Sequence, residues 1–165
     1  MDRLILWRHA KAEVDAASGD DFDRPLAPRG RREAQAMAQQ LAALGFRPDV
    51  AVVSPSLRTR ETWEALHEAL PGGEVRFDRA LYNAEAQAIL RLAEHAGEGH
   101  GTVVVVGHNP GLQELALDLL QQCNAPAAFV ARVQRAFPPA AAAVFLIDAE
   151  GRPTPDGLFY PERQV

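Results

Sequence analysis

Apolar residues follow two rhythms along the chain. Leu4-Ile5-Leu6-Trp7, Val50-Ala51-Val52-Val53, Thr102 through Val106 and Ala142 through Asp148 are short apolar runs with little alternation. Such runs predict strands buried on both faces, the usual condition of a central parallel strand. The β-branched run at Thr102-Val103-Val104-Val105-Val106 is the strongest of them. Between the runs, apolar positions recur at steps of three and four. Ala34, Met37, Ala38, Leu41 and Leu44 predict a helix over about 31–44, with Gly45 as its stop. Leu57, Trp63, Leu66 and Leu70 predict a second helix, capped by Ser54 or Ser56 and ended by Pro71-Gly72-Gly73. A short strand at Val75-Arg76-Phe77 exits through Leu81-Tyr82 into a helix over about 84–96. Asn109 at the cap and Pro110 in the first helical position open a helix through Leu112, Leu115, Ala116, Leu119 and Leu120. Lys11 to Pro28 reads as a loop, and loops that long usually serve a site. Gly151 to Val165 is too rich in proline for more than an edge strand or tail.

Strand alternating with helix predicts an α/β fold, a three-layer α/β/α sandwich around a mostly parallel sheet. Right-handed crossovers then bring the C-terminal ends of the strands to one rim. Arg8 and His9 after the first strand, Arg58 after the second and His108 after the fourth all fall there. Ligands bind at that edge in open α/β sheets. Taken singly, each of these residues is equally an ordinary loop or helix-surface side chain.

Composition narrows the setting. The 165 residues fit one domain, 1–165, without an inserted lid. The single Cys123 forms no internal disulfide and reads as a small helix residue, so a reducing compartment is expected. The net charge of -5 argues against a nucleic-acid surface, and no apolar stretch is long enough to span a membrane. A cytoplasmic protein is the expectation. Arg24, Arg29, Arg31 and Arg32 form a local basic cluster, either a solvated loop and first helical turn or a positive rim beside an anion site.

Two arginines and two histidines on one rim suit a phosphoryl group. Guanidinium donors match phosphate oxygens and follow their charge into the transition state. The same charges disfavour imidazolium, which keeps a neighbouring histidine neutral and nucleophilic. A metal site built from His9 and His108 is the rival reading, though the arginines oppose a cation.

The ordered set Arg8-His9-Ala10, Arg58 within Ser54-Pro55-Ser56-Leu57-Arg58-Thr59, and Gly107-His108-Asn109-Pro110 resembles the histidine phosphatase superfamily, the phosphoglycerate mutase-like fold. The first motif of that family usually carries glycine where this chain has Ala10. That departure, the Asp23-Arg24-Pro25-Leu26 segment and the Leu81-Tyr82-Asn83-Ala84 segment look like the small SixA-type phosphohistidine phosphatases. The resemblance implies that His9 is the nucleophile that becomes phosphorylated, and that Arg8, Arg58 and His108 bind the phosphoryl group. Asn109 and Arg24 join the phosphate- and substrate-binding set on the same ground. It implies no metal and no cofactor.

Larger members use a glutamate after the third strand as proton donor, and Glu85 is the candidate here. A glutamate at a helix N-terminus is equally explained by the helix dipole. A phosphohistidine substrate lowers the need for that acid, because its leaving imidazole departs protonated. The expected partner is therefore a phosphohistidine-bearing phosphotransfer protein. The alternatives are a phosphomonoesterase acting on a small phosphorylated molecule and a catalytically silent phosphate-binding module. Trp7 and Trp63 read as packing residues, His67, His95 and His100 as surface histidines without a role, and Lys11 and Glu13 as loop residues near the mouth.

Overall fold

A computed structural model describes residues 1–162. In chain order the elements are β1 (Arg3–Arg8), α1 (Pro28–Ala43), β2 (Val50–Val53), α2 (Leu57–Ala69), β3 (Glu74–Phe77), α3 (Ala86–Ala96), β4 (Thr102–Gly107), α4 (Gly111–Gln122), α5 (Ala127–Arg135), β5 (Ala142–Ile147) and β6 (Pro153–Phe159). The strands form one sheet in the order β3-β2-β4-β1-β5-β6. Its first four strands in that order pair in parallel, and β5 and β6 complete it antiparallel.

Packing on both faces explains why the strand sequences do not alternate. Leu4 and Leu6 of β1 and Val103 and Val105 of β4 meet Ile89, Leu112, Leu115 and Val133 on the α3, α4 and α5 side. Ile5, Trp7, Val104 and Val106 meet Met37, Leu41, Trp63 and Leu66 on the α1 and α2 side. Residues in the middle of β1, β2 and β4 are apolar because both faces there are covered, whereas the edge strand β3, with Glu74 and Arg76, is largely exposed.

Several expectations need correction. The first helix begins at Pro28, with proline in its first turn, a start signal that lies ahead of the apolar periodicity. Leu44 lies past the helix and is 59% exposed, and Phe46 covers the core in its place. At α2 the cap residue is Ser56, whose hydroxyl pairs with Thr59 Oγ1 at 2.6 Å and makes no cap bond. Pro110 is itself the cap of α4, Gly111 opens the helix, and the Asn109–Pro110 peptide is cis. Asn109 therefore does not cap the helix. Helix α5 was not expected: Val133 is the only buried residue within it, too weak a stripe to read from sequence. Within the proline-rich end, β6 is an edge strand, and residues 163–165 lie outside the described part.

Candidate active site

The parallel register aligns the three strand ends. Arg8 lies opposite Gly107, and Val53 opposite Val106. The ladder continues one step further, with His9 N–H donating to Gly107 O and Ser54 N–H to Val106 O, each at 3.0 Å. His9, Ser54 and His108 thus leave adjacent strands at one level. The rings of His9 and His108 lie 5.4 Å apart. Arg58, from the first turn of α2, reaches the same place with only 6% of its surface exposed.

His9 has one tautomer available. Its Nδ1 lies 2.8 Å from Ala10 O, and a carbonyl only accepts, so Nδ1 carries the proton. Burial pushes its pKa down to about 3, assisted by His108 and by the charges of Arg8 and Arg58, against the Ala10 bond. Neutral His9 therefore presents Nε2 with a free lone pair. Similar logic fixes His108. A guanidinium only donates, so Arg58 Nη2, at 3.4 Å, leaves Nδ1 of His108 as acceptor and Nε2–H to donate to Ser54 Oγ at 2.7 Å. Burial first, and then Arg58, lowers the His108 pKa to about 4.

Both arginines sit as anion donors. Arg8 Nη1 donates to Phe137 O at 3.0 Å, while its Nε is buried without a partner. Arg58 Nη1 and Nη2 donate to Asp21 O and Oδ2 at 2.8 and 3.1 Å, and its Nε is likewise buried and unpaired. Unpaired buried donors are costly, and the like charges of Arg8 and Arg58, near enough that Arg58 helps burial to lower the Arg8 pKa, suit a site that an oxyanion completes.

The frame around these groups is polar and buried. Thr62 Oγ1 accepts from Ala10 N–H at 3.0 Å and donates to Arg58 O at 2.7 Å, tying the loop after β1 to α2. Phe137 O accepts from both Arg8 and Asn109, and Ala140 N–H donates to His9 O at 3.0 Å. Ala10 needs no glycine geometry, and its methyl group is buried against the α1 and α2 core. Gly30 does need to be glycine: a Cβ there would lie 2.8 Å from both the carbonyl carbon and the nitrogen of Lys11.

The structure brings Arg8, His9, Arg58 and His108 together and places the other candidates differently. Asn109 spends its amide donors on Phe137 O at 3.0 Å and Gln113 Oε1 at 3.3 Å, so it holds the backbone behind Arg8. Arg24 donates to Asp21 Oδ1 and Glu13 O, bracing the loop. Arg29 and Arg31 pair with Glu33 and Glu61, which favours the solvated helical turn over a positive rim for this cluster. Glu85 is the exposed cap of α3, and among the described residues no hydrogen bond joins it to the rim. Lys11 and Glu13 are exposed, as are His67 and His95, while His100 and Cys123 are half-buried. No group of three or more His, Cys, Asp or Glu is placed to hold a metal among the described residues, so the His9–His108 metal reading lacks its further ligand. No helix among them is long and apolar enough to cross a membrane. Asp21, Tyr82, Ser54, Thr62 and Phe137 are site residues that sequence reasoning missed.

Comparison with known proteins identifies the family and the fold. The model of the histidine phosphatase superfamily (branch 1) matches residues 4–92. An uncharacterized chloroplastic protein of Arabidopsis thaliana is 34% identical, over 74% of this chain and 64% of its own length. The chain thus spans about two thirds of that relative. The phosphohistidine phosphatase SixA of Escherichia coli is 31% identical, over 71% of this chain and 73% of its own. The crystal structure of a candidate phosphohistidine phosphatase SixA from Agrobacterium tumefaciens superposes with a TM-score of 0.85 at 29% identity, covering 97% of this chain and 98% of that one.

Proposed function

Given that the chain belongs to the histidine phosphatase superfamily, we propose that it is a phosphatase working through a phosphohistidine at His9, with a protein-borne phosphohistidine as substrate. The observation that carries this reading is the state of His9. It is neutral, with Nδ1 pinned to Ala10 O and Nε2 bare, beside two arginines that each hold an unpaired Nε. Attack by Nε2 on phosphorus forms the Nε2–P bond and breaks the substrate P–N bond. The leaving imidazole takes the electron pair and a proton from solvent. Water then attacks phosphorus, the Nε2–P bond breaks, and inorganic phosphate leaves with His9 restored. Arg8 and Arg58 bear the phosphoryl charge through both steps. Neither step needs a metal or cofactor.

The substrate class is supported by what surrounds the rim. A phosphate ester leaves as an alkoxide and needs a strong acid, and Glu85 lies exposed without a bond to the rim. An imidazole leaving group protonates readily at neutral pH. The reading also accords with the likeness to the SixA proteins named above. A single-turnover reaction with a phosphohistidine-bearing phosphotransfer protein tests it. Wild type should lose substrate phosphate through a transient acid-labile label, and His9→Ala should show neither. Label from a small phosphate ester with the protein substrate untouched would leave a phosphomonoesterase. No label from any phosphorylated compound would leave a phosphate-binding module.

A further inference from the structure

The turn at Asp21–Asp23 reaches the rim from a loop that connects β1 to α1, and it is fastened there at several points. The Tyr82 hydroxyl donates to Asp21 Oδ2 at 2.7 Å and Arg24 Nη1 to Oδ1 at 3.0 Å. Phe22 packs edge-on to Tyr82 with ring centroids 5.1 Å apart, and the Arg79 guanidinium lies 5.0 Å over Phe22. The Tyr82 ring in turn stands edge-on to His108 at 5.5 Å. The fixed object these contacts hold out is the Asp21 carboxylate, whose partner is Arg58.

We propose that Asp21 is a positioning residue that presets the Arg58 guanidinium for the phosphoryl group. Asp21 occupies both terminal nitrogens of Arg58, Nη1 through its carbonyl and Nη2 through its carboxylate. With the other Nη2 hydrogen facing His108 Nδ1, the donors left over are Nε, buried and without a partner, and the second hydrogen of Nη1. An arginine is a long chain with much rotamer freedom, and anchoring one end of its planar fork fixes where the other edge points. Oxyanion binding then costs less ordering, and the donor is in place before charge develops on phosphorus. The Tyr82 and Arg24 contacts hold the carboxylate that does the holding. This inference rests on the reading of the rim as a phosphoryl site.

The opposite role is physically distinct. A carboxylate on a phosphate-binding arginine can instead act as a resident competitor, and its negative charge repels any oxyanion. Removal of a competitor tightens oxyanion binding; removal of a positioning group loosens it. The sign of one measurement decides.

The experiment is calorimetric titration of the full chain with tungstate, a tetrahedral oxyanion. Asp21→Ala should raise Kd about tenfold, the loss of one charge-assisted hydrogen bond. Asp21→Asn keeps an oxygen acceptor for Nη2 while dropping the charge, and should stay within about threefold of wild type. Tighter binding by both variants, or no change in either, overturns the proposal. If Asp21→Ala does not fold, Tyr82→Phe carries the test, with Kd expected to rise about threefold and an unchanged value overturning it. The wild-type label on His9 separates the two levels: its absence defeats the phosphatase reading, whereas the tungstate affinities judge Asp21 alone.

Discussion

The two neutral histidines make the protein's stability depend on pH in a calculable way. Their folded pKa values, about 3 for His9 and about 4 for His108, lie below the value of an exposed imidazole. As the pH falls, the unfolded chain therefore takes up protons first, and stability is lost. The contribution is complete above the unfolded pKa of about 6.5 and is spent as the pH falls through the folded values. At pH 5 both folded histidines are still neutral, so the loss is set by the unfolded state, about 1.5 pH units at about 1.4 kcal/mol each, or about 2 kcal/mol per histidine. Two histidines together give about 4 kcal/mol, a large share of a stability of roughly 5–15 kcal/mol. The assay is urea unfolding in oxyanion-free buffer at pH 7 and pH 5, for wild type and for His9→Gln combined with His108→Gln. Carboxylates titrate alike in both proteins, so the difference isolates the imidazoles. Wild type should lose about 4 kcal/mol more than the double variant, and each single variant should recover about half of that. Equal losses in wild type and double variant would refute the claim that both rings are buried neutral.

Two further outcomes follow from the frame around the rim. Thr62→Val should cost about 1–3 kcal/mol in urea unfolding and slow His9 labelling, because Ala10 N–H is left buried and unpaired; Thr62→Ser should restore most of both. Gly30→Ala should lower the melting temperature by several degrees through an overpacking cost of about 1–3 kcal/mol, because the backbone at Lys11, two residues after His9, must shift.

The rim quartet was legible in the sequence because buried parallel strands announce themselves as unbroken apolar runs, and the polar residues that end them share a rim. Arg8, His9, Arg58 and His108 each stand at or just past such an end. Residues that bind across the chain carry no local pattern. Asp21 meets Arg58 at a separation of 37 residues and Tyr82 at 61, and nothing near Asp21 distinguishes it from Asp20 or Asp23. Asn109 followed by Pro110 carries a helix-start signature, but Pro110 takes the cap and the Asn109 amide turns to Phe137 O. Glu85 was placed by family analogy, and the short connection between β3 and α3 leaves it exposed. Arg58 looked like a surface helix residue by position alone, yet burial against Asp21 and His108 makes it one of the least exposed charges in the protein.

Arg8 takes its anchor from Phe137, 129 residues downstream, and His9 O takes Ala140 N–H from the same late segment. A ribosome delivers β1, β2 and β4, with all four rim side chains, before that segment exists. Until β5 inserts antiparallel beside β1, the first strand is an open sheet edge. A nascent or truncated chain ending short of residue 137 thus holds all four rim residues without the backbone that anchors two of them. The backbone that fixes Arg8 and His9 arrives only with roughly the last sixth of the polypeptide, from Phe137 onward.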